Sequence, residues 1–150
     1  MSEDRIRVLG EEYFEARLDG QTLARGEELL GAARKRFDRV ILVTEHIEEV
    51  IGPWAASVGI DDLWCHRLEY RDHRATGHLM SGPTNPSSAA LTLGQFARSE
   101  GVDLMRSAGY GSVESDVLWL SQLGLPCAAM PDSSLRRHAR AMDWPLVERS

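Results

Sequence analysis

The chain has 150 residues, 43% hydrophobic and 27% charged, which is enough apolar material for one packed domain and excludes a disordered tail. Seventeen basic against 23 acidic residues leave a formal charge of −6, a balance that argues against nucleic acid or an anionic membrane surface as the general partner. Cys65 and Cys127 form neither a disulfide framework nor a CxxC metal site, no apolar run is long enough to span a bilayer, and the start is polar and acidic, so a soluble cytoplasmic protein is expected.

In chain order, Ile6, Leu9, Tyr13, Phe14 and Leu18 fall at helical spacing, Asp19-Gly20 interrupts it, and Leu23, Leu29, Leu30 and Ala33 resume it. Two helices are therefore expected within residues 1–37, the second with Arg34, Lys35 and Arg36 on its last turn, where positive charge is favourable. Residues 39–44 form an unbroken apolar run ending in Thr44, the pattern of a parallel strand buried on both faces. Helical spacing returns at Ile47, Val50, Ile51 and Trp54. Residues 62–80 read as a hairpin of two strands around Arg71-Asp72-His73, and 81–86 as a loop from its turn residues. A helix over 87–101 is followed by a strand over 104–110, a glycine-containing loop over 109–116, and a helix that Gly124 ends. Residues 126–130 read as the last strand, and 135–142 as a basic helix with Arg136, Arg137, His138 and Arg140. That helix is either a solvated face or a surface for an anionic partner. Alternating strands and helices predict an α/β fold with right-handed crossovers.

Several segments in this order carry a family resemblance: Leu42-Val43-Thr44 at a strand end, Thr76-Gly77-His78, and Gly109 to Leu120 with its polar loop. The finish from Gly124 to Asp132, followed by Asp143-Trp144-Pro145-Leu146-Val147, completes the pattern. From about Val8 onward the chain resembles the haloacid dehalogenase superfamily, in its phosphoserine-phosphatase-like branch. The resemblance implies a single domain over 1–150, with a helical part at 1–37 and an α/β core at 38–150. The implied fold is a reduced, Rossmann-like three-layer sandwich with a mainly parallel sheet and without the family's first central strand.

The family's chemistry uses four groups. A nucleophilic Asp attacks the phosphoryl group from an Asp-x-Asp-x-Thr motif, and no aspartate here has another two positions later. A strand-end hydroxyl that binds phosphoryl oxygens corresponds to Thr44, which the sequence alone reads first as the cap of a helix beginning near Glu45. A lysine neutralises charge near residues 87–90, yet the chain has no lysine after Lys35. The first Asp of a Gly-Asp-Ser-x-Ser-Asp loop holds Mg²⁺, and matched residue by residue that position is Ser112, followed by Val113, Glu114, Ser115 and Asp116.

The expectation is thus a non-catalytic phosphatase-like binding, scaffold or regulatory module, a pseudoenzyme without cofactor. Its remnant ligand residues are Thr44, His46, Ser112, Glu114, Ser115 and Asp116, suited to a phosphorylated small molecule; Ser115 and Asp116 are alternatively helix caps. The rival is a Mg²⁺-dependent phosphomonoester hydrolase, with Asp116 as its metal candidate. Its site would be rebuilt around Glu114, Asp116 and His46, or its nucleophile would come from another chain. A zinc site from Cys65, His66, His73 and His78 is disfavoured because neighbouring strand residues face opposite ways. Trp54, Trp64 and Trp144 are assigned to packing, and Trp119 to filling the cleft. The sheet gap is expected to close either by pairing of 39–44 with 104–110 or through a homodimer or partner protein.

Overall fold

A computed structural model describes residues 1–20, 24–60, 62–80 and 85–149. They form two compact units, Met1–Thr84 and Asn85–Ser150. In the first, α1 (Glu3–Tyr13) starts at Ser2, whose hydroxyl accepts from the Arg5 amide, with Glu3 and Asp4 favourably placed in the first turn. It runs into a π-helical turn over Phe14–Leu18 and stops at Gly20, which adopts φ 68°. Helix α2 (Ala24–Arg36) ends in Arg34, Lys35 and Arg36 as expected. Leu23 and residues 81–84 of the loop expected at 81–86 lie outside the described residues, while Asn85 and Pro86 begin the next helix.

Strand β1 (Ile41–Ile47) pairs in parallel with β2 (Asp62–His66), Ile41 opposite Asp62 and Val43 opposite Trp64. Arg39 holds the start of this ladder with a forked ion pair to Asp62, at 3.1 and 3.2 Å. Between β1 and β2 lies α3 (Glu48–Ser57), the crossover helix of a strand, helix, parallel strand unit. Its interior Pro53 has no N–H to offer the Glu49 carbonyl four residues back. Gly10 of α1 packs directly on that carbonyl, so closely that a Cβ there would collide with it. Strands β3 (Leu68–Arg71) and β4 (Arg74–Leu79) form the antiparallel hairpin, turning at Asp72 and His73 with φ 48° and 58°, the left-handed pair of a two-residue hairpin turn. Tyr70 donates to Glu49 Oε1 at 2.5 Å; burial first, and the carboxylate second, push its phenol well above the usual value.

In the second unit α4 (Pro86–Glu100) has a reciprocal cap: Ser88 N–H donates to Asn85 Oδ1 at 2.9 Å and Asn85 N–H to Ser88 Oγ at 3.1 Å. Gly101 closes it with φ 66°. Strand β5 (Ala108–Gly111) lies parallel to β6 (Leu125–Ala129), which is parallel to β7 (Leu146–Val147), in the order β5-β6-β7. Helices α5 (Val117–Leu120) and α6 (Ser133–Ala141) supply Leu120, Leu135 and Ala139 to a core completed by Leu123 and Ala128. Trp119 and Trp144 pack against it, and Trp54 and Trp64 are half-buried in the first unit.

The α/β class, the mainly parallel strands and the hairpin are as expected; several boundaries differ. Strand β1 continues to Ile47 and is half-buried, not buried on both faces, because Ile47 still pairs with His66 and residues 44–46 are absorbed as a bulge. Residues 62–80 hold three strands, since 62–66 pairs with β1 and only 68–79 forms the hairpin. Residues 104–106 form a 3-10 turn, not a strand, because the Asp103 carboxylate accepts from the Met105 amide at 3.0 Å. Helix α5 is one turn long and Gly124 is not its cap. Gly124 N–H instead donates to the Leu104 carbonyl at 2.9 Å, and its backbone abuts Met105 too closely for any Cβ. Strand β6 is followed by β7, two residues whose pairing no local pattern announces.

Candidate functional site

The sequence-selected residues fall at the carboxyl ends of parallel strands, where α/β sheets bind ligands. In the first unit they are Thr44 and His46. Val43 opposes Trp64 and Ile47 opposes His66, so Thr44, Glu45 and His46 stand opposite Cys65 alone and are thrown out of the ladder. Thr44 Oγ1 accepts from the His46 amide at 3.2 Å. It does not cap α3, whose N-cap is Ile47 without a side-chain bond. His46 is exposed at the crest of the bulge. Cys65 is buried at the bulge's base, and burial, then Glu48, push its thiol pKa up.

In the second unit the chain leaves β5 at Ser112 and enters a 3-10 turn over Glu114–Asp116. Asp116 turns back on this loop: Oδ2 accepts from the Ser112 and Val113 amides at 2.8 and 3.1 Å, and Oδ1 from the Trp119 indole at 3.1 Å. Although Asp116 precedes α5, it makes no side-chain cap to that helix. Trp119 is thereby tied beside the loop and packs over Gly109, where a Cβ would strike its ring. Ser112, Glu114 and Ser115 are exposed.

A further carboxylate, which the sequence reading did not select, joins this loop to its neighbour. Asp132 Oδ1 accepts from the Leu135 amide at 2.7 Å, capping α6, and Oδ2 from the Glu114 amide at 3.1 Å. The Asp132 amide donates to the Ser112 carbonyl at 2.8 Å. The Leu135 amide above all holds this carboxyl below its ordinary pKa. An Asp followed three residues later by the first apolar residue of a helix is an N-cap signature, so the cap was there to be found; the bond to Glu114, 18 residues earlier, had no local signal.

These segments border a cavity of about 420 Å³. Ser112 and Val113 follow β5, Met130 to Asp132 follow β6, and Glu148 and Arg149 follow β7, with Arg136 reaching in from α6. Met130 adopts φ 47°, a conformation that costs a non-glycine residue and turns the chain sharply at the end of β6. Arg136 grips both oxygens of Glu148, Nε at 2.8 and Nη2 at 2.9 Å, and this guanidinium holds the Glu148 carboxyl below the usual range. The cavity thus has a polar rim, a preset turn and a charge pair. Among the described residues no three His, Cys, Asp or Glu side chains cluster as metal ligands would. With both Asp116 oxygens taken by protein donors and a hydroxyl at position 112, the loop's donor set does not fit Mg²⁺.

A family model described as haloacid dehalogenase-like hydrolase matches residues 1–121. An inhibition of morphological differentiation protein of Streptomyces azureus is 33% identical over 110 residues, 73% of this chain and 39% of the relative. A probable phosphatase of Mycobacterium tuberculosis is 26% identical over 124 residues, 83% of this chain and 43% of the relative. The chain therefore spans less than half the length of these relatives. Among solved structures, a Bordetella pertussis Tohama I protein of unknown function superposes with a TM-score of 0.89 at 24% identity, covering 100% of this chain and 69% of the other. A phosphoserine phosphatase in apo form gives 0.70 at 18% identity, over 99% and 74%. At these identities the structural likeness is one of fold.

Proposed function

Because the chain belongs to the haloacid dehalogenase-like hydrolase family, we propose that it is a non-catalytic member, a phosphatase-like binding, scaffold or regulatory module. Its retained polar groups are proposed for phosphate-bearing small molecules in each unit by itself: Thr44 and His46 in the first, and Ser112, Glu114, Ser115 and Asp116 in the second. The observation that carries this reading is the state of Asp116. A carboxylate that accepts from two amides and an indole is oriented to hold a loop, and withdrawing it for a metal would leave those donors unpaired. Two sequence facts point the same way. Ser112 occupies the position that the family resemblance gives to the metal-binding Asp, and no lysine follows Lys35 to neutralise a phosphoryl group.

The proposal includes association. Strand β1 has its ladder with β2, and β5 has its ladder with β6, so each keeps an edge on which a second copy or a partner polypeptide can add a strand. Both cysteines are free and buried, which suits work in the reducing cytoplasm.

The deciding assay offers purified protein a panel of phosphomonoesters with Mg²⁺, beside Asp116→Ala. Neither protein is expected to release phosphate above the buffer rate. Turnover by the parent that disappears in the variant would overturn the non-catalytic reading and establish a phosphomonoester hydrolase rebuilt around these residues.

A further inference from the structure

Arg136 presents its fork to the cavity at the ends of β5, β6 and β7, and that fork already holds an oxyanion. Its Nε and Nη2 face the two oxygens of Glu148, the paired geometry by which a guanidinium takes a carboxylate or a phosphate. Glu148 follows a strand of only two residues, and its side chain is 49% exposed against 32% for Arg136. Exchanging it for an external anion breaks one solvent-screened pair and uncovers no buried group. The other carboxylate at the cavity does not compete, because Asp132 is bound to the Leu135 and Glu114 amides. Ser112, exposed and also lining the cavity, carries a hydroxyl that offers a neutral donor for a second oxygen.

We infer that Arg136 anchors a small-molecule oxyanion site, for a carboxylate or a phosphate monoester, and that Glu148 is a built-in competitor which the ligand displaces. The inference is independent of whether the chain catalyses anything: it needs neither Asp116 nor a metal, and phosphomonoester turnover would leave it standing.

The test titrates the full chain at fixed ionic strength with inorganic phosphate and, separately, with acetate, following the Arg136 side-chain N–H and the Val113 amide by NMR. Glu148→Gln removes the competitor and keeps the volume, and is expected to tighten binding by about two- to fivefold. Arg136→Gln is expected to abolish it while the β6 amides keep their positions. Stronger binding of phosphate than of acetate assigns the site to phosphate monoesters, and the reverse to carboxylates. An affinity unchanged in Glu148→Gln overturns the inference by itself, even if Arg136→Gln fails to fold, and so does full binding by a folded Arg136→Gln.

Discussion

Asp132 accepts amide hydrogens from two separate segments, and its folded pKa is depressed as a result. The sign of the pH dependence follows. The group's stabilisation is complete above the unfolded value of about 3.9 and is lost as pH falls through the lower folded value. Thermal melts of the parent and Asp132→Asn are therefore expected to differ at neutral pH, with the parent higher, and to converge in acid. Asp116 behaves differently when replaced. Asp116→Ala leaves the Ser112 and Val113 amides and the Trp119 indole without their acceptor, so amide exchange at residues 112 and 113 is expected to accelerate. Equal protection in the variant would show that other acceptors serve these groups. The loop over 109–116 was legible from its turn residues, because those act locally. The parts of Asp132 and Glu148 at the cavity were not, because their partners stand 18 and 12 positions away.

At the scale of elements, glycines set how closely segments approach. Gly10 lies on the Glu49 carbonyl, to which Pro53 has no N–H to donate, and Gly124 on the backbone at Met105. Alanine at either position forces backbone apart, and a loss of about 1–3 kcal/mol is expected, as for overpacking elsewhere, read as a lower denaturant midpoint. Free tolerance of alanine at both sites would contradict the close approach. The same contacts explain where element boundaries escaped the sequence. Helical spacing from Val117 to Leu123 predicts a longer helix than forms, because Gly124 must reach Leu104. The run Leu104–Arg106 has strand composition, yet Asp103 recruits it into a turn. Long periodic helices such as α4, bounded by Asn85 and Gly101, were legible because their signals are local; strand β7 and the separation of β2 from the hairpin were not, because each is defined by a parallel neighbour brought in by a crossover.

For the whole molecule, the proposed association predicts a concentration-dependent mass in light scattering, and a strict monomer over the accessible range would count against it. The two units are described separately, and the second holds the better-defined core and the cavity. One consequence of Asp132 extends beyond stability. By fastening the 112–114 segment to the first turn of α6, a single carboxylate clamps two walls of the cavity to each other, and α6 carries Arg136. A guest of the proposed site would therefore find both walls ordered in advance, with the Glu148 side chain to displace from the fork and no loop to rearrange.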